Sequence, residues 1–368
     1  MSTSIKKILF SFLLIYCLVS SLYSIEIKHL KEFDLFQSDE VFISHPGSFF
    51  VTEDDMVFVF DEKASNIKIF NINGKLVKIF GKKGMGPDEF IKPFFSAYKK
   101  PLVAFVDFRR NFFFIYERIE SNNLKFKKKF LFSGNMAYNF QFINDKELLI
   151  AGDNMDKKGK WYNLYIYNYE KNECEFLLPL ETSYGYNSIR TFRNAQSNKL
   201  SYIGLFQYCD WIDNRIYLIW TAGMNIIKIN RKTKGMKSFS FKKTERYVQP
   251  YLTPEIKKAY DERKPMLIYK LKNKMSYIKC LFVANSKKIG LAYTGPLIKN
   301  KGVNVMLQLY NSSGKFIKEF EILYAKASNS SELKFYFRKD KNLFYILDTD
   351  TSEEFEQVFK IHEYMIEE

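Results

Sequence analysis

One figure returns six times along this chain: an apolar strand, a short polar turn, then a second strand that stops where the next copy begins. The clearest copy is MVFVFDEKASNIKIFNINGKLVKIFGKKGMGPDEF, from Met56 to Phe90. A repeat of this size dictates architecture before any single residue does. Each unit is one small sheet that cannot bury both of its faces alone. Stacked in a ring the copies bury one another, so the pattern predicts an all-β chain folded as a β-propeller.

Aligning the repeats sets the register. The third strands read IKIFN from Ile67, FFIYE from Phe113, LYIYN from Leu164, IIKIN from Ile226, LQLYN from Leu307 and VFKIH from Val358. Each follows a continuous apolar strand (MVFVF, LVAFV, ELLIA, RIYLIW, KIGLAY and LFYIL). Unbroken apolar strands of this length belong to sheets covered on both faces. Successive copies are 46, 51, 62, 81 and 51 residues apart, so the long fourth step carries an insertion. The sixth copy runs out of chain before its fourth strand, while IEIKHLKEFDLF, after residue 24, is a strand without a blade. Pairing these two closes the ring at six blades and removes edges that would invite aggregation.

The run FGKKGMGPDEFIKP, from Phe80 to Pro93, resembles the blade-to-blade turn of bacterial NHL-like six-bladed propellers. The preceding VFVFD and IKIFNINGKLV resemble the NHL repeat itself. The match covers the first blade; the other blades share the period alone, and Asp88 stands where that family has Gly. The resemblance implies a six-bladed fold and an exported location. It implies little about activity, since one fold carries many functions.

Lys6 and Lys7 followed by ILFSFLLIYCLVSSL, with small residues at Ser20, Ser21 and Ser24, read as a secretory leader cleaved after Ser24. Lipidation at Cys17 is the alternative, against which Tyr16 occupies the place of a small residue. The rest, residues 25–368, reads as one propeller domain outside the cytoplasm, periplasmic, cell-surface or secreted. Net charge is +16, carried by lysine far more than arginine and scattered through turns. That pattern argues against nucleic-acid recognition, which favours arginine forks and basic stripes. It leaves room for peripheral contact with an anionic envelope surface. Cys174, Cys209 and Cys280 are an odd set with no CxxC, so buried thiols are expected.

Candidate functional residues fall on one rim. The residues ending the second strands are Asp61, Asp107, Asp153, Thr221, Thr294 and Asp348. They are expected to ring one mouth of the central channel, as caps for loop N–H groups or as an acidic binding ring. The insertion between blades 4 and 5, about residues 244–274, has a helix start at Thr253, Pro254 and Glu255, and Pro265 to end it. It either packs over the mouth or acts as a lid presenting Tyr247, Tyr251 and Tyr260 to a ligand. The glycines of the Phe80–Pro93 run are expected to permit positive φ rather than to cradle a phosphate, because no helix start comes after them.

Catalytic signals are sparse: no GxSxG, no HExxH, and three histidines far apart. His29 and His362 are expected side by side in the last blade, two imidazoles without a cysteine to complete a zinc site. No metal or cofactor is assigned; calcium at the acidic ring is the one candidate. The favoured reading is a monomeric, non-enzymatic binding propeller whose rim holds a protein, peptide or glycan. The alternatives are a calcium-assisted hydrolase or lyase and an adhesive envelope component.

Overall fold

A computed structural model describes residues 25–36, 42–86, 88–120, 122–131, 136–179, 207–220, 225–248, 273–298, 302–326, 333–351 and 357–367, with isolated positions between 255 and 271. Residues 1–24, Cys17 among them, and Thr221, Tyr251 and Tyr260 lie outside the described residues.

Six four-stranded antiparallel sheets make six blades. Blade 1 is Pro46–Val51, Val57–Asp61, Asn66–Phe70 and Leu76–Phe80. Blade 2 is Pro93–Lys99, Leu102–Asp107, Phe112–Glu120 and Asn123–Leu131. Blade 3 runs from Met136–Phe142 to Glu173–Pro179, blade 4 from Gln207–Ile212 to Met236–Ser240, and blade 5 from Tyr277–Val283 to Phe316–Ala325. Blade 6 takes Lys334–Arg338, Leu343–Thr351 and Gln357–Glu367 from the C-terminal end. Its outermost strand is Glu26–Leu35, from the other end of the chain. That strand pairs antiparallel along its whole length, from Glu26 opposite Glu367 to Leu35 opposite Phe359.

The core is divided among the blade interfaces. Val57 and Val59 pack into a cluster shared with Leu343, Tyr345 and Leu347 of blade 6. Their alternates Phe58 and Phe60 pack into the next cluster, with Val103, Phe105 and Phe114 of blade 2. The same division recurs between blades 2 and 3, 3 and 4, 4 and 5, and 5 and 6. Side chains alternate across a strand, so a strand buried on both faces serves two interfaces at once. Each fully buried Phe or Leu stabilises the fold by roughly 1.5–3 kcal/mol. Aromatic pairs reinforce the contacts, such as Phe105 stacked on Phe114 at 5.2 Å between ring centres.

Cys174, Cys209 and Cys280 are unpaired thiols. Burial pushes the Cys174 thiol up to about 11 and the other two higher. No described helix is long and apolar enough to cross a membrane.

Candidate functional site: the two ends of the central channel

The six innermost strands stand around a channel. Its upper rim carries the blade-to-blade connections and its lower rim the turns between first and second strands. The second strands end at the upper rim, so the residue closing each meets the chain arriving from the previous blade. Asp61 is the clearest case. Its fully buried carboxylate accepts the backbone N–H groups of Ser44 (2.6 Å), His45 (3.2 Å), Lys63 (3.2 Å) and Ala64 (3.0 Å). Lys68 adds its ammonium at 2.7 Å, in a buried ion pair. Asp107 repeats the arrangement with Ile91 N–H (2.8 Å), Lys92 N–H (3.1 Å) and Arg110 Nε (2.7 Å).

These carboxylates therefore work as caps, with their lone pairs directed at the connecting backbone. Asp153 is buried opposite Met136 in blade 3, but it does not end its strand, which runs on two residues to Met155. Thr294 ends its strand in blade 5, its hydroxyl aimed at the Tyr277 carbonyl at 3.5 Å. Asp348 is also buried, but it lies three residues before its strand ends at Thr351, and its Oδ1 has no hydrogen-bond partner.

Inside this ring lies a cavity of about 410 Å3, lined from every blade, by His45, Phe94, Asn139, Tyr208, Lys279 and Lys334 among others. Among the described residues lysines outnumber acids in its lining. His45 and Lys92 both lean on one acid, Glu62, at 2.6 and 2.7 Å. Burial raises the Glu62 carboxyl, but the bonds from His45 and Lys92 outweigh it and hold it below the usual carboxylate range. Lys92 also stands over the rings of Phe94 and Phe108, at 5.5 and 5.7 Å. Deeper in, Lys339 from blade 6 reaches past blade 5 to Asp210 of blade 4 and to the Trp211 carbonyl at 2.7 Å. Asp210 accepts the Val283 N–H at 2.7 Å, so one acid ties three blades together.

The lower mouth, a second cavity of about 410 Å3, is lined by Glu53, Tyr98, Trp211, Arg338 and Asp340 among others. Here too the described lining holds more cations than acids, Lys99, Lys100, Arg338 and Lys339 against Glu53 and Asp340, but Lys99 pairs with Asp145 and Lys100 with Glu53. Arg338 donates to the Thr52 carbonyl at 2.8 Å and pairs with Asp55 and Asp340 at 3.3 and 3.0 Å, fastening blade 6 to blade 1. Burial opposes its charge, but Asp340 outweighs this and raises the guanidinium above its ordinary value. Tyr98 donates to Glu53 at 2.5 Å, and Arg118 pairs with Asp54. Burial and then the Glu53 bond push the Tyr98 phenol well above its usual range.

The insertion enters between blades 4 and 5. Its first residues, 241–248, fill the wedge that opens as neighbouring blades diverge outward. Tyr247 is buried there, its ring 4.6 Å from Phe241 and 5.1 Å from Tyr293. This is packing between blades rather than over the channel mouth, and none of the described insertion residues lines either cavity. Glu255, Lys258 and Ala259 are helical, as the Thr253–Pro254 start predicts, and helical backbone returns beyond Pro265 at Leu267 and Leu271.

In the glycine-rich turn, Gly81 adopts φ +76°, and a Cβ there would lie 2.2 Å from the Phe90 ring. Glu89 takes the N–H groups of Met85 and Gly86, both at 2.8 Å, which are the donors a phosphate would need. Asp88 accepts from the Tyr116 hydroxyl at 3.0 Å, a role a Gly could not fill.

No protein-family profile matches the chain, and no curated protein does. Its fold is that of a six-bladed β-propeller, and solved structures share it. A member of the DUF4221 family from Bacteroides vulgatus superposes with a TM-score of 0.62 at 14% identity, over 94% of this chain and 99% of that one. A protein from Bacteroides fragilis described as exported gives 0.56 at 14% identity, over 93% and 96%. A protein of unknown function from Bacteroides thetaiotaomicron gives 0.50 at 9% identity, over 94% and 76%. At such identities the likeness is one of fold. It supports a propeller family without singling out the NHL repeat that the first blade resembles.

Proposed function

We propose that the protein is an exported, non-enzymatic binding propeller that receives a protein, peptide or glycan bearing anionic groups at its upper channel mouth. The observation that carries this reading is the excess of cations there. Among the described residues Lys92, Lys279, Lys334 and Lys339 line the cavity, against Glu62 and Asp210. Aromatic side chains beside them, Phe94, Phe95, Tyr208 and Phe335, offer flat apolar surface of the kind that sugar rings and peptide side chains cover. Export rests on the leader pattern of residues 1–24 and is consistent with the neighbour described as exported.

The test is a screen of acidic and neutral glycans and peptides, followed by titration calorimetry at two salt concentrations. Acidic ligands should bind and weaken with salt. The double substitution Lys279→Glu, Lys334→Glu should abolish that preference while the chain stays folded. Binding that ignores ligand charge, or that survives the double substitution unchanged, rejects the reading.

A further inference from the structure

The closing blade holds a cluster unconnected with the channel chemistry. An unbroken strand sends residues three apart to opposite sides, so the sequence offers no reason to group His29 with Glu32. The register between the N-terminal strand and Gln357–Glu367 slips by one residue between His29 and Lys31. This bulge returns Glu32, opposite His362, to the side that already carries His29, opposite Tyr364. One nitrogen from each imidazole and one Glu32 oxygen then lie within 4.8 Å of one another. His362 Nδ1 stands 3.4 Å from Glu32 Oε2. In a tetrahedral zinc site with bonds of about 2.0–2.1 Å, neighbouring ligand atoms are about 3.3 Å apart.

A second observation points the same way. His362 is buried, 5% exposed, and its other nitrogen, Nε2, has no hydrogen-bond partner. It faces Asp348 Oδ2 at 3.9 Å, on a carboxylate whose Oδ1 is also buried without a partner. A metal on Nδ1 fixes the proton on Nε2 and turns it toward that acid, the carboxylate–histidine–metal relay common where imidazole binds zinc. Lys360, 3.3 Å from Glu32 Oε1, holds the other oxygen and leaves Oε2 for a cation. Its positive charge opposes a divalent ion, which makes the site one for a metal that bonds imidazole strongly rather than for calcium.

We propose that His29, Glu32 and His362 bind one Zn2+ or similar divalent transition ion, with a fourth position open and Asp348 as the positioning residue for His362. Two ligands come from the N-terminal strand and one from the C-terminal strand, so the ion pins the seam that closes the ring. The inference is independent of the channel reading, and neither one's failure touches the other.

Zinc titration of the untagged protein against a chromophoric chelator, with Co2+ substitution followed by visible absorption, tests it. One equivalent should bind and raise the Tm by several degrees. His29→Ala, at an exposed position that should leave folding intact, should weaken binding at least tenfold and lose the tetrahedral Co2+ bands. Glu32→Gln should do likewise, and Asp348→Asn should cost about 10–100-fold. No stoichiometric binding, or binding by His29→Ala and Glu32→Gln as tight as the parent's, overturns the proposal even if His362→Ala does not fold.

Discussion

The two mouths of the channel draw on the same residue types and put them to different work. At the lower one Arg338 and Arg118 meet Asp55, Asp340, Asp54 and backbone carbonyls, and the network fastens blades 6 and 2 to blade 1. At the upper one the acids beneath the rim, Asp61 and Asp107, are consumed by backbone N–H groups and cations. Among the described residues the lysines lining the cavity then outnumber the acids that share it, Glu62 and Asp210. Charge that is balanced internally holds the ring together. A local excess of one sign sets the field that a partner meets.

Substitutions sort along that line. The largest effect is expected at Asp61. Asp61→Ala strands Lys68, whose side chain is 3% exposed, and uncaps the connection into blade 1. Removing one partner of a buried pair costs about 3–5 kcal/mol, which urea unfolding would read directly. A loss under about 1 kcal/mol would make the rim carboxylates dispensable and revive them as candidate ligands.

Arg338→Met should cost about 2–3 kcal/mol, because the acids it leaves are solvent-accessible while the Thr52 carbonyl loses its donor. Anion binding at the upper mouth should be untouched. If binding falls with stability, the two mouths are not separable.

Lys279→Glu with Lys334→Glu should slow association with an acidic ligand at least tenfold at low salt, in protein whose Tm shows it folded. Stopped-flow rates at two ionic strengths would check it.

The smallest effect concerns pH. Glu62 titrates below its ordinary value when folded, so its contribution is present above the unfolded value of about 4.3 and drains away as the pH falls through the lower folded one. The amount is under about 1 kcal/mol, since the pair is partly screened by solvent. Glu62→Gln should flatten the acid side of the stability profile, and an unchanged slope would mean Glu62 is not what His45 and Lys92 rely on.

Much of the architecture was legible in the sequence because strands buried on both faces must be apolar throughout, and MVFVF or KIGLAY can hardly be anything else. The closing strand was legible by subtraction: one blade lacked a strand and one strand lacked a blade. The site was harder. The rim position of Asp61 and Asp107 comes from strand order, but which lone pairs remain depends on backbone N–H groups that no side-chain pattern records. Tyr247 looked like a rim aromatic because the insertion has no period to reveal which side faces the wedge. The pairing of His29 with Glu32 was hidden by a single extra residue in an otherwise regular ladder. The channel lining was the least readable part. Lys279 and Lys334 stand near the starts of first strands in different blades and meet only once the ring has formed.

The seam between Glu26–Leu35 and Gln357–Glu367 bears on how such a molecule is made. During synthesis EIKHLKEFDL waits without its mate until Gln357–Glu367 has left the ribosome. The charged side chains spaced along that segment suit the delay, because they keep it dissolved and discourage the wrong neighbour. The ring therefore closes late, and a protease that removes Gln357–Glu367 would also set Glu26–Leu35 free.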